Sequence, residues 1–418
     1  MNTTIAYLDI PRPTRLSGLC RSFVHRRLAK LRTLHLEFED AWGVTHFGNK
    51  AIPPISVKVV NPRFYVRLVF FGHLGAADSF VSADVECDRL IDLLRGLLRD
   101  TEVCERLDAS RPMLVRWGLR LCHRLRSNTR SGSRRNIHEH YDLGNEFFRI
   151  FLDTTLSYSC AWFETAEISL EKASLAKIDK LLEKLELRPT DHLLEIGCGW
   201  GALAVRAAET TGCRVTAVTI SREQFALANA RAKASSAADR IEILLKDYRD
   251  VTGRYDKAVS VEMIEAVGHR FYETYFGQLS RLLKPDGILA IQVITHPDQD
   301  NVRRRKEVDF IQARIFPGSD LATLGSIQRA IQRATDLSLS DMEDFTHHYA
   351  RTLRCWHDTF VSKLAEVKAL GFPEEFFRTW IYYFVYCEAG FAERHIGCSQ
   401  LVFRKPGWRP SQQQGVQA

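Results

Sequence analysis

Residues 193–201 read LLEIGCGWG, and the spacing of their glycines is the first chemical signal in the chain. Apolar residues and the acidic Glu195 lead into Gly197, Gly199 and Gly201, as when a buried strand enters a tight turn. Glycine suits that turn because the backbone bends sharply and lies against a ligand with no side chain between them. The G-x-G-x-G spacing differs from the G-x-G-x-x-G that seats a pyrophosphate on a helix N-terminus. At and just past the end of the next expected strand, Thr219, Ser221 and Gln224 stand where dinucleotide enzymes commonly carry an acidic ribose-binding residue. That argues against NAD chemistry, although Ser221 also suits a plain helix N-cap. The third strand runs into KDYRD, which offers Asp247 and Tyr248 beside an adenine, or Asp247 as a simple turn residue. The fourth runs into VEMIEAVGH, where Glu262 and Glu265 sit three apart at a strand's carboxyl end. Two carboxylates there could position a cation or move a proton, or one could cap the following helix.

These residues need an α/β scaffold to meet. Strands are expected at 193–196, 214–220, 241–246, 257–261 and 287–294, with helices between them and an amphipathic helix over 169–187. The alternation implies a mostly parallel sheet with helices on both faces, and ligands at the carboxyl ends of its strands. Residues 395–405 read as a final strand, with 310–380 as a helical insertion before it. Residues 1–105 read as a separate small α+β domain. In it 55–60 alternates like a strand, 64–71 is an aromatic and β-branched run of the kind strands favour, and 87–99 is helical. A basic linker is expected over 106–135, a catalytic domain over 136–405 and a tail over 406–418.

Composition narrows the class. The chain has 418 residues, 45% hydrophobic and 26% charged, which is ordinary for a soluble globular protein. The longest apolar run, 380–391, is interrupted by Glu388 and is too short to span a bilayer. The first residues lack the pattern of a signal peptide. The ten cysteines form no C-x-x-C pair, which argues against a disulfide frame or a zinc cluster and for a reduced, cytoplasmic setting. No metal site is expected. Net charge is +7, and eight arginines lie between Arg111 and Arg135. Such a segment suits a polyanion, and each Lys or Arg near an anionic membrane contributes about 1 kcal/mol. Trp117 is the only aromatic residue among those arginines, which weakens a single-stranded nucleic-acid reading; no nucleic-acid partner is expected.

Eight ordered motifs now carry a resemblance: HYDLGNEFF, YSCAWF, LLEIGCGWG, VTIS-x-x-Q, LKDYRD, E-x-x-E-x-VG, RIFPGS and YCEAGF. Together they resemble the cyclopropane-fatty-acyl-phospholipid synthase family, over about residues 55–405. The resemblance implies a class I, Rossmann-like S-adenosylmethionine-dependent methyltransferase with a small lipid-contacting N-terminal domain. It further implies an unsaturated phospholipid acyl substrate, a homodimer, and a peripheral site at the inner membrane. Tyr158 and Ser159, with Glu195, Gly197, Gly199 and Gly201, would hold the methionine part of the cofactor. Thr219, Ser221 and Gln224 would hold the ribose, and Asp247 with Tyr248 the adenine. A bicarbonate ion serving as base would be held by Cys160, Glu265, Ile294 and Tyr349, and Cys387 matches a cysteine near the family's active site. Trp380, Tyr382, Tyr383, Phe384 and Tyr386 could line an acyl tunnel or simply pack a core.

One position departs from the family pattern. Where many members have a histidine two residues before the isoleucine, this chain has Gln292 (AIQVIT). A glutamine amide donates hydrogen bonds but carries neither a proton nor a charge. His296 is four residues on, so it cannot take the same place on a strand. Cyclopropane formation is the expected reaction, and a methyl or methylene branch without ring closure is the alternative that Gln292 raises.

Overall fold

The computed structural model describes residues 12–100, 144–300 and 307–410, and residues 115, 118, 129 and 132 singly. Most of the expected basic linker 106–135, residues 140–143 of the first motif and the end of the tail lie outside them. The chain divides into two compact units. One comprises Met1–His123, Lys306–Ile315 and Leu364–His395, and the other Arg124–Arg305, Phe316–Lys363 and Ile396–Ala418.

The first unit holds a four-stranded sheet of β1 (His35–Asp40), β2 (Gly43–Gly48), β3 (Ile55–Val59) and β4 (Val85–Cys87), in the order β2-β1-β3-β4. Its core gathers Val24, Leu36, Phe38, Val57 and Tyr65. The strand-like run 64–71 is a helix, Arg63–Phe71, which corrects the sequence reading. Phe64, Tyr65 and Leu68 bury one helical stripe against the sheet, and that packing overrides the strand preference of the individual residues.

Residues 364–395 belong to this first unit, unlike the single catalytic domain expected for 136–405. Helix Glu374–Ala392 packs on helices Leu90–Arg99 and His73–Val81. Just past its end, the Glu393 carboxylate accepts from Arg95 Nε at 2.6 Å and from Arg99 Nε at 2.7 Å. Arg378 Nε donates to the Phe80 carbonyl at 2.7 Å. On the same helix Trp380, Tyr382, Tyr383 and Phe384 are buried, and the Tyr382 ring meets those of Phe80 and Phe310. These aromatics pack within the first unit.

The second unit is built on a seven-stranded sheet of order β10-β11-β9-β8-β5-β6-β7. Its strands are β5 (His192–Ile196), β6 (Arg214–Thr219), β7 (Ile241–Leu245), β8 (Tyr255–Val261), β9 (Leu283–Thr295), β10 (Ser338–Asp344) and β11 (Gly397–Arg404). From β7 to β9 the pairings are parallel, whereas β11 runs antiparallel to β9 and to β10. Leu194, Ile196, Ala258, Leu289 and Ile291 pack one face, and Leu193, Val215, Ala217, Val259 and Ala290 the other. Burial on both faces explains why these strands read as continuous apolar runs. β10, inside the supposed helical insertion, was not legible: its sequence SLSDMED is polar and mostly exposed, as an edge strand tolerates. Strand order reverses on either side of β5, so the crevice of the sheet opens where β5 and β8 end.

Candidate active site

β5 delivers Glu195 and then the glycine turn. Gly197, Gly199 and Gly201 have φ of +80°, +51° and +84°, left-handed values that L side chains rarely adopt. Around the place where a Cβ of Gly199 would sit there is nothing within 4 Å, while at Gly197 a Cβ would come within 2.7 Å of Met263 Cγ. Gly201 caps helix Ala202–Thr211. Glu195 is 3% exposed, and its Oε2 is buried with no hydrogen-bond partner. Burial pushes its pKa up to about 8, against the pull of Lys177. An orphaned carboxylate oxygen beside an open glycine turn fits a ligand that brings its own donor, such as an amino group.

At the end of β6, Thr219 Oγ1 donates to Gln224 Oε1 at 2.8 Å, and Ser221 Oγ accepts from the Gln224 amide at 3.3 Å. Ser221 is thus the N-cap of helix Arg222–Ala234, and it stands in the cluster expected to face a ribose. After β7 both Asp247 oxygens accept from the Arg249 guanidinium, at 2.8 and 2.7 Å, and Asp247 also opens the turn through the Arg249 amide. Tyr248 stands edge-on to Tyr275. The Tyr158 ring packs among Phe148, Phe151 and Trp356. Ser159 Oγ accepts from Lys177 Nζ at 2.8 Å.

The carboxyl ends of β8 and β9 assemble a second cluster. Glu262 Oε1 accepts from the Cys160 backbone N–H at 2.9 Å and from Gln292 Nε2 at 2.8 Å, with Cys398 Sγ at 3.8 Å. Glu262 Oε2 accepts from Tyr349 O–H at 2.6 Å. The orientation of Gln292 is set by a relay: Lys184 Nζ donates to Gln400 Oε1 at 2.9 Å, and Gln400 Nε2 donates to Gln292 Oε1 at 3.1 Å. That leaves both N–H bonds of Gln292 for Glu262 and for the Cys160 carbonyl, the latter at 3.2 Å. Glu265 Oε1 accepts from the Ile294 N–H at 2.6 Å, and Glu265 Oε2 is buried without a partner. The Cys160 thiol is pushed up by complete burial, so it remains a neutral donor.

The two carboxylates differ in their surroundings. Burial raises both, but Glu262 has Tyr349, Gln292 and the Cys160 amide to hold its charge, with Lys177 adding attraction. Glu265 has a backbone donor, and burial followed by the charge of Glu262 pushes it up to about 8. At neutral pH Glu265 therefore keeps its proton, and Glu262, although also raised by burial, is the carboxylate whose surrounding donors favour the charged form.

A stability prediction follows from that proton. The folded state keeps it on Glu265 above the ordinary carboxylate range, where the unfolded chain has released it. Stability therefore falls as pH rises through that range to about 8, and the penalty is fully present beyond. Glu265→Gln cannot ionise but still accepts from Ile294. It should gain about 1–3 kcal/mol over the parent at pH 8 and nothing near pH 4. Thermal melts at both pH values check this, and a gain equal at both would reject it.

The sequence-expected residues of the second unit thus lie at or beside the carboxyl ends of β5, β6, β7, β8 and β9. Cys387 lies half-buried on helix Glu374–Ala392 of the first unit, its thiol pushed up chiefly by loss of solvent. Lys177, 3% exposed, was missed. Its signal is a lysine on the buried stripe of helix Leu170–Lys184, among Ala173, Ser174, Ile178 and Leu181. Lysine is almost never buried without a partner.

With this geometry in place, the comparisons are specific. Residues 128–401 match the family described as mycolic acid cyclopropane synthetase. The chain is 38% identical, over 82% of its length and 81% of the relative's, to a tuberculostearic acid methyltransferase of Mycobacterium tuberculosis. It is 35% identical, over 84% and 88%, to the cyclopropane-fatty-acyl-phospholipid synthase of Escherichia coli. A mycolic acid cyclopropane synthase solved with S-adenosylhomocysteine superposes with a TM-score of 0.62 at 31% identity, over 65% of this chain and 98% of that one. The open glycine turn, the unpartnered Glu195 oxygen and the hydroxyl–amide cluster after β6 suit the same cofactor type. This chain belongs to the mycolic acid cyclopropane synthetase family and is an S-adenosylmethionine-dependent methyltransferase.

Proposed function

We propose that this enzyme transfers a one-carbon unit from S-adenosylmethionine to the cis double bond of an unsaturated phospholipid acyl chain and closes a cyclopropane ring. The observation that carries the reading is the cluster of half-buried Glu262 with buried Glu265, Tyr349 and Gln292 around the carboxyl ends of β8 and β9. An alkene is a weak nucleophile, and methylation leaves positive charge on a chain carbon. Buried carboxylate dipoles next to the aromatic rings of Tyr349 and Trp356 stabilise such a cation. When bound, S-adenosylmethionine supplies the electrophilic methyl group; Glu195, Gly197, Gly199, Thr219, Gln224 and Asp247 would hold it.

A second reading, a methyl or methylene branch without ring closure, is favoured by Gln292 and by likeness to the tuberculostearic acid methyltransferase. We further propose a homodimer acting at the cytoplasmic face of the inner membrane, its basic N-terminal half attracted to anionic headgroups. No described helix is long and apolar enough to cross a membrane. The test is incubation with methyl-labelled cofactor and vesicles of unsaturated phosphatidylglycerol. Label in the acyl chains supports the reading, and its absence rejects it. Fragmentation in mass spectrometry of the released methyl esters then separates a ring from a methylene branch of equal mass.

A further inference from the structure

The bicarbonate site implied by the resemblance does not fit this chain as folded. Three of the groups around it, the Cys160 N–H, Tyr349 O–H and Gln292 Nε2, donate to the carboxylate of Glu262. We infer that Glu262 is itself the built-in general base of the reaction, standing where a bicarbonate would otherwise be recruited. The inference rests on the methyl-transfer reading above and adds the identity of the proton acceptor.

Three independent features carry it. Glu262 has a φ of +47°, a left-handed conformation that costs an L residue on the order of 1–2 kcal/mol. That strain is held in place by the burial of β8 and by the Glu262 N–H, which donates to the Gln292 carbonyl at 2.8 Å. It aims the carboxylate into the cluster rather than along the strand. Next, the oxygens are unequally loaded. Oε1 accepts from two nitrogens and lies near Cys398 Sγ, whereas Oε2 accepts from Tyr349 alone among the described residues. A carboxylate oxygen has two lone pairs, so Oε2 keeps one for an incoming proton. Finally, the Lys184–Gln400–Gln292 relay turns the Gln292 amide so that its N–H faces Glu262. A neutral donor so fixed holds an internal carboxylate without supplying a competing charge. This gives the replacement of histidine at position 292 a physical reason.

The electron balance is complete with groups already named. The π pair of the alkene forms one C–C bond to the methyl carbon as the C–S bond breaks, leaving a cation on the neighbouring chain carbon. A C–H bond of the new methyl then breaks. Its electron pair forms the second ring C–C bond, and its proton goes to Glu262 Oε2. The proton passes to solvent after product release, which resets the carboxylate. No oxidant or further reactant is needed.

The test compares the wild type, Glu262→Gln and Glu262→Gly in buffer freed of carbon dioxide and in buffer with added bicarbonate. The wild-type rate should change less than twofold, and Glu262→Gln should lose about 10²–10⁴ in kcat while keeping its affinity for S-adenosylhomocysteine. Glu262→Gly relieves the positive φ and opens the place of the carboxylate. It should regain at least about tenfold of its rate with millimolar bicarbonate, as a positioned external base would give. A wild-type rate that collapses without bicarbonate, or an unimpaired kcat in Glu262→Gln, overturns the inference. A second arm needs neither lipid nor folded Gln variant: ¹³C-bicarbonate resonances should broaden with Glu262→Gly and not with the wild type. Broadening by the wild type overturns it too. If the wild type labels no phospholipid, the substrate reading fails, while this binding arm still decides whether the wild-type site admits bicarbonate.

Discussion

Replacing Lys177 with methionine should lower kcat/KM at pH 7 by about 10²–10³, the usual effect of removing one preorganised charged or hydrogen-bonding group from a buried site. Lys177 is buried and donates to Ser159. Its charge also lowers the pKa of both Glu262 and Glu195 against the burial that raises them. Burial pulls the lysine's own pKa down, and Glu262 is the first of the groups that oppose this. The sign follows from the charges. Without the lysine both carboxylates become more basic, so a larger fraction is protonated at pH 7 and Glu262 cannot accept a second proton. Raising the pH restores the anion, so the acid limb of the kcat/KM profile should move to higher pH and part of the loss should be recovered near pH 9. Methionine fills the stem volume of lysine, so packing on helix Leu170–Lys184 is largely retained. An acid limb that stays in place while the rate falls would show that Lys177 acts only through Ser159.

Gly197→Ala should abolish measurable cofactor binding in the ordinary range, with an affinity loss of at least about 10²-fold by calorimetry with S-adenosylhomocysteine. A displacement of about 1 Å in a positioned site has an effect of this size. Two costs coincide: a left-handed φ of +80°, and a Cβ 2.7 Å from Met263 Cγ. Met263 lies directly after Glu262, so its retreat also disturbs the turn that follows β8. Stability should fall by about 1–3 kcal/mol. Gly212→Ala is the control. It has a φ of +73° at the far end of helix Ala202–Thr211, and its added Cβ meets only ordinary contacts beginning at 3.6 Å. That variant should lose stability of similar size with unchanged cofactor affinity. Equal affinity losses in both variants would mean that the glycine turn acts through global stability and not through close approach to the ligand.

By itself the sequence determined the α/β alternation of the second unit, the glycine turn and the residues that cluster after β6. The physical reason is locality. A strand buried on both faces must be a short apolar run, a left-handed turn must be glycine, and a helix start favours Ser221; each is written within a few neighbouring residues. The helix at 63–71 and the polar edge strand β10 escaped, because packing against a sheet, and pairing at its edge, are not local properties. Only the tertiary structure decided that residues 364–395, Cys387 among them, belong with the first unit. Only it turned Glu262 from one of two candidate carboxylates into the acceptor shared by Cys160, Gln292 and Tyr349, which lie 102, 30 and 87 residues away. Hydrogen-bond partners at such separations leave no period in the sequence. They are chosen when the strands bury their polar ends together, because a carboxylate taken out of water must find its donors wherever the fold has placed them.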